Sequence, residues 1–565
     1  MKRKISTSAI LLFVLTLTNF QVSNGCTNFL ISRGATIDGS TMITYAADSH
    51  TLYGELYYQP AQDYPVGTMR DIYEWDTGKL LGQIPQMTHT FSVVGNMNEF
   101  QVAIGETTFG GRSELQSQNG AIMDYGSLIY VALQRAKTAS QAIQVMTGLV
   151  AEYGYYSEGE SFSISDPEEV WILELIGKGE NEKGAVWVAM KVPDGYICGH
   201  ANQARITTFP KNDPDNCLFA EDVISFARGK GWYNGTDEDF SFSDVYAPVD
   251  FEGARFCEAR VWSGFRKVTE GMDKYADYAK GIVKHGGANN FATNRMPLWV
   301  KVDKKLSVQD VMGLMRDHFE GTELDMTKDL GAGPYGLPYR WRDLTWEVDS
   351  VEYCNERAIS TQQTGFSFVA QSRNWLPNPV GGIFWFGVDD TYSTCYAPMY
   401  SGITEIPECF RVGNGDMITY SETSAFWTFN YVTNFAYLRY NDMIKDVQKV
   451  QHELENKFVT YVPVIDEAAK ALFNEKGEEQ ARQFISEFSV NEANNMTKRW
   501  KELGQYLLVK YMDGNIKREK DGKFERTEYG LPPYPIFAGY PEWWYEAIVN
   551  STGDHFKVIE SEKGQ

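Results

Sequence analysis

The chain has 565 residues, 43% of them hydrophobic, and a net charge of −23 from 75 acidic and 52 basic residues. That much apolar material can build a large core over two or three domains and argues against global disorder. A surface so acidic repels phosphate backbones and offers anionic lipid no basic amphipathic helix, so no nucleic-acid or lipid-surface partner is expected.

The first predicted element is a leader. Lys2, Arg3 and Lys4 precede an apolar run over 9–20, and Ser23-Asn24-Gly25 supplies small residues before Cys26. This is the pattern of a secretory signal over residues 1–25, too short and wrongly flanked to span a membrane. Cutting after Gly25 would put a thiol and a free α-amine on one residue, Cys26. No later apolar stretch reaches spanning length, so the product is expected to be exported, periplasmic or extracellular, and soluble.

After Cys26 the pattern predicts a strand over 27–32, a turn at Asp38-Gly39, and a second strand over 42–45. Strands over 88–94 and 101–104 follow, hinged at 96–99, and then helices over 123–136 and 139–153. The second helix aligns Ala142, Ile143, Met146 and Leu149 on one face. Strands resume over 161–164, 170–175, 185–191 and 195–199. This order predicts mixed, largely antiparallel sheets with helices on their outer faces. Further strands and long loops are expected over 354–417, helices from 421 to about 512, and an extended tail packed on the body after that. The domain reading is therefore a catalytic unit over 26–417, a helical region over 418–512 and a tail over 513–565.

Seven cysteines in an exported chain leave one unpaired if the other six form disulfides. The alternative is that most of the six are free buried thiols, because a core this size needs no staples. No C-x-x-C occurs, Gly331 to Gly336 satisfies G-x-G-x-x-G with Pro334 inside it and no strand-to-helix context, and His452-Glu453 lacks a second histidine. No G-x-S-x-G elbow is present either. No metal or cofactor is expected.

The chemistry therefore centres on Cys26. A thiol of pKa ~8.5 needs a base at neutral pH, and an α-amine of pKa ~8, lowered by partial burial, titrates near the working range. Cys26-Thr27-Asn28-Phe29, Gly34 through Thr41 and Ala47-Asp48-Ser49 resemble the opening of the C69 dipeptidase family. That family belongs to the N-terminal nucleophile hydrolases, with the bile salt hydrolase and penicillin V acylase group. Asn98 to Ala103, Gly199 to Ile206, Arg357 to Ser360 and Gln371-Ser372-Arg373 match further along. The resemblance implies an α+β fold, the αββα sandwich of that superfamily, with a largely helical C-terminal region.

It also implies roles. Cys26 would be the nucleophile, Asp48 the carboxylate that orients its ammonium, Asn202 the side-chain donor to the oxyanion, and Arg255 the arginine beside the thiol. The acylase branch has an arginine three residues before the aspartate, where this chain has Tyr45. The bland readings are that Asp48 caps a turn, Asn202 satisfies loop backbone, His200 is a packed loop histidine, and Arg205 and Arg260 are structural ion-pair partners. The expected activity is hydrolysis of dipeptides or small peptides through a thioester. Two alternatives remain: an amidase for N-acylated small molecules, and a surface binding protein lipid-anchored through Cys26.

Overall fold

The computed structural model describes residues 25–559; the expected leader, Gly25 apart, lies outside them. Two antiparallel sheets form the centre. The first runs in the order Trp299–Lys301, Tyr196–His200, Asn28–Ile31, Thr41–Asp48, Thr364–Ser372, Ile383–Val388, Ala397–Tyr400. The second runs Cys217–Phe219, Ala185–Lys191, Val170–Gly177, Gly159–Ser165, Ala103–Gly110, Met97–Asn98, Val93–Val94, Tyr58–Gln59. The expected first hairpin is present, with Leu30 opposite Ile43 and Ile31 opposite Met42. The chain is thus a mixed α+β protein.

The second sheet explains why its strands look apolar on both faces. Ile104, Phe162, Ile164, Trp171, Leu173 and Leu175 join a core with the helices Tyr125–Leu133 and Ala139–Tyr153. The intervening Ala103, Val170, Ile172, Ile176, Val186 and Val188 belong to a second core, shared with Phe29, Met42 and Ile43 of the first sheet. Period-two alternation therefore feeds two apolar layers, so side chains on one face of each strand are sealed between the sheets. Helices Ala425–Tyr437, Tyr440–Lys476 and Glu478–Tyr511 pack beyond the first sheet, against Ile383–Val388 and Ala397–Tyr400.

One expectation changes, and one open choice narrows. The tail after residue 512 is not wholly extended: it forms a short hairpin, Glu519–Lys520 with Lys523–Phe524, and a helix, Glu542–Thr552. Tyr529, Tyr534 and Phe537 along it are largely exposed, so it packs only loosely on the body. The seven cysteines stand as free thiols, six buried and Cys354 half-buried, in line with the reading that a core this size needs no staples.

Candidate active site

Cys26 stands just before the strand Asn28–Ile31, with only 5% of its surface exposed. Its Sγ lies 3.6 Å from the Tyr45 hydroxyl and 3.8 Å from Glu106 Oε1. Tyr45 in turn donates to Glu106 Oε1 at 2.5 Å, and its ring stands edge-on to Phe366 and Phe368. Burial, then the negative charges of Glu106 and Asp48, push the thiol well above its ordinary range; a backbone bond at Asp48 and the Tyr45 hydroxyl oppose this only in part. The sulfur is therefore a neutral thiol until a base takes its proton.

Asp48 closes the strand Thr41–Asp48, where the ladder slips by one residue and Thr364 stands opposite it, leaving Gly365 unpaired. Such bulges re-aim side chains at the end of a strand. Thr364 donates to Asp48 Oδ1 at 2.6 Å, while the buried Oδ2 takes no hydrogen bond from any described residue. Burial raises its pKa to about 7, against the pull of Thr364, Arg260 and Arg357. The Asp48 carbonyl accepts from Gly25 N at 2.8 Å, and a Cβ at Gly25 would come 1.7 Å from Arg357 Nη2. The residue before the thiol thus has no room for a side chain beside the Arg357 guanidinium.

Asn202 follows the strand Tyr196–His200 in a tightly held loop. Glu174 accepts from Arg205 N and Ile206 N at 2.6 and 3.0 Å. Arg205 ties Gly199, Pro297 and Leu298 carbonyls together and pairs with Glu258 at 2.8 Å. Asn202 itself takes φ +63°, a left-handed conformation that asparagine tolerates better than most residues. Its Oδ1 accepts from Arg260 Nη2 at 2.8 Å and its Nδ2 donates to the Thr108 carbonyl at 2.7 Å. Because Arg260 only donates and a carbonyl only accepts, the network fixes which way the amide points. One Nδ2 hydrogen is committed to Thr108; the amide group carries a second.

The arginine that joins these groups is Arg260. It donates to the Cys26 carbonyl (2.6 Å), Thr27 Oγ1 (2.8 Å), the Ala201 carbonyl (3.0 Å), Asn202 Oδ1 and the Phe256 carbonyl (2.8 Å). Its helix, Ala259–Arg266, presents Gly264 one turn later on the same face, and there a Cβ would meet Phe29 Cζ at 2.2 Å. The missing side chain lets the helix close onto the Cys26 strand. Arg255 is held elsewhere. Arg255 lies inside a π-helical turn, Gly253–Glu258, ahead of the helix that carries Arg260, and its guanidinium is bound to Glu356 and the Lys280 carbonyl. It is an ion-pair residue with its hydrogen bonds directed to those partners.

His200 joins Thr107 through Nδ1 and Ser163 through Nε2, each at 2.7 Å, and burial holds its pKa near about 3. It is a packed, neutral histidine. Glu106 is not singled out by the sequence pattern, although it is the one charged residue in the strand Ala103–Gly110. Among the described residues no cluster of His, Cys, Asp and Glu fits a metal ion, and no helix is long and apolar enough to cross a membrane.

Peptidase family C69 matches residues 25–453, most of the chain. The chain belongs to peptidase family C69. As a C69 peptidase it is a hydrolase of peptide bonds. Among curated proteins it is similar to a probable dipeptidase of Latilactobacillus sakei, 25% identical over 408 residues covering 69% of this chain and 76% of that protein. A probable dipeptidase B of Streptococcus pyogenes serotype M1 is 23% identical over 528 residues, 90% of this chain and 97% of its own. A probable dipeptidase of Salmonella dublin is 23% identical over 414 residues, with 70% and 84% covered.

Proposed function

We propose that this C69 peptidase is an exported cysteine dipeptidase of the N-terminal nucleophile type, whose Cys26 becomes the first residue when 1–25 are removed. The observation that carries this is the surroundings of the thiol. Its side-chain partners are a tyrosine and a carboxylate, and burial among negative charges keeps it protonated. The activating base is then the residue's own nitrogen, which becomes an amine of pKa ~8 once the preceding bond is cut. Asp48 suits the role of holding that amine: it is buried, and its Oδ2 lacks a hydrogen-bond donor among the described residues. Two facing sheets with helices outside support the αββα reading, and the family match beginning at residue 25 supports a domain that starts beside the thiol.

The amine takes the Sγ proton and the thiolate attacks the scissile carbonyl. The developing oxyanion is met by the second Nδ2 hydrogen of Asn202, whose orientation Arg260 and Thr108 hold fixed before substrate arrives. The ammonium returns its proton to the leaving amine, leaving a thioester on Cys26. Water, deprotonated by the same amine, then releases the acid and restores the thiol. Cys26→Ala should give a folded, exported and inactive protein when assayed on dipeptides. Full activity in that variant would end the proposal, as would a diacylglyceryl group on the sulfur of the native protein.

A further inference from the structure

Beside the thiol lie two buried carboxylates that the catalytic cycle does not use. Glu106 is 3% exposed and Glu160 is fully buried. They stand on the paired strands Ala103–Gly110 and Gly159–Ser165, where Thr108 is directly opposite Glu160 and donates to its Oε2 at 3.0 Å. The two carboxyl groups are within hydrogen-bonding reach of each other, and burial raises the pKa of both. Glu106 Oε2 and Glu160 Oε1 accept from no donor among the described residues, and neither group has a lysine or arginine ion-pair partner there. A buried acid pair without a cation is costly, and one shared proton is the most such a pair can do for itself. A cation entering the site would replace that proton and satisfy both orphaned oxygens.

We infer that the Glu106–Glu160 pair is the subsite for the substrate's α-ammonium group, so that the enzyme accepts peptides with a free N-terminus and rejects their N-acylated counterparts. The inference rests on the dipeptidase reading above. Distance supports it: in an N-terminal residue the α-nitrogen lies about 2.5 Å from the carbonyl carbon under attack, so whatever recognises it must adjoin the nucleophile. Glu106 Oε1 is 3.8 Å from Sγ. The approach is acidic as well, since Asp76, exposed and held by the Tyr125 hydroxyl at 2.9 Å, adds its charge to that felt by Glu106. An N-acyl amide would bring no charge to exchange for the proton and would press its acyl carbons against the two carboxylates.

The test is Glu160→Gln, which keeps the shape and does not touch the sulfur, assayed as processed protein on a dipeptide and on its N-acetyl derivative. The wild type should strongly prefer the free amine. The variant should lose at least about tenfold in kcat/KM on the free dipeptide, mainly through KM, with the N-acetyl substrate no worse, so that the preference collapses. In the wild type, an amino-acid amide should inhibit competitively where its N-acetyl form does not, a measurement independent of whether the variant folds. Equal turnover of both substrates by the wild type, or an undiminished preference in Glu160→Gln, overturns the inference while leaving the Cys26 mechanism intact. Activity in Cys26→Ala would instead remove the reading beneath it.

Discussion

Asn202→Asp separates the oxyanion role proposed for this side chain from its structural one. The replacement is isosteric. At the Oδ1 position a carboxylate still accepts from Arg260 Nη2, now as a charge-assisted bond in place of the neutral acceptor at 2.8 Å. At the other position an oxygen replaces the Nδ2 that donates to the Thr108 carbonyl at 2.7 Å. Leaving that carbonyl unpaired costs about 1–3 kcal/mol, and a charged bond to Arg260 contributes about 1.5–3 kcal/mol, so stability should change little. Catalysis should not be spared. The second amide hydrogen is gone and a negative oxygen faces the developing oxyanion, a loss of about 3 kcal/mol or more, equivalent to at least roughly a hundredfold in kcat. Steady-state kinetics on a dipeptide, with thermal melts of the same preparation, give both quantities. The expected result is a collapsed kcat, a nearly unchanged KM and a nearly unchanged melting temperature. An unchanged kcat would refute the oxyanion role. A kcat loss matched by a large fall in melting temperature would return Asn202 to a purely structural part.

Two further outcomes follow from the site. His200 has an ordinary pKa of 6.5 and a folded value of about 3, so below pH 6.5 the unfolded chain takes up a proton that the folded one refuses. Its contribution is present above pH 6.5 and drains away as pH falls toward 3, amounting to about 2 kcal/mol by pH 5. His200→Gln, able to bond Thr107 and Ser163 without titrating, should flatten the loss of stability between pH 7 and pH 5; an identical slope in both proteins would contradict the neutral-histidine reading. Arg255→Met should leave kcat unaltered but destabilise the fold by about 1–3 kcal/mol, because Glu356 is left half-desolvated without its cation. A selective loss of kcat in that variant would restore Arg255 to the active site.

The hairpin from Cys26 to Asp48 is legible because its signals are local: strand-forming runs, an Asp-Gly turn, and a thiol at the end of a leader pattern. The helix Ala139–Tyr153 begins and ends where its apolar face does, with Thr138 as the N-cap and Gly154 as the stop. The choice between Arg255 and Arg260 is not local. Both lie in one helical stretch, Arg255 inside the π-helical turn and Arg260 in the helix after it, and it is Arg260 that reaches the Cys26 carbonyl. Gly264, one turn beyond Arg260, was the readable hint, since a glycine within a helix often marks a close approach. In the sequence Tyr45 stands out only as a departure from the acylase pattern, yet it is the group 3.6 Å from the sulfur. Glu106 and Glu160 meet across strands 54 positions apart in the chain, and pairing of that kind is set by register rather than by composition. In the tail, Pro541 and Glu542 start a helix that the aromatic, proline-rich composition around them conceals.

Everything chemical here depends on which nitrogen deprotonates Cys26. N-terminal sequencing of the active protein, before and after alkylation with iodoacetamide, addresses that directly. The account predicts a chain beginning Cys-Thr-Asn-Phe, with turnover lost in step with modification of its first residue. Dipeptide hydrolysis by a chain that still carries Gly25, or by one whose first thiol is fully alkylated, would contradict it.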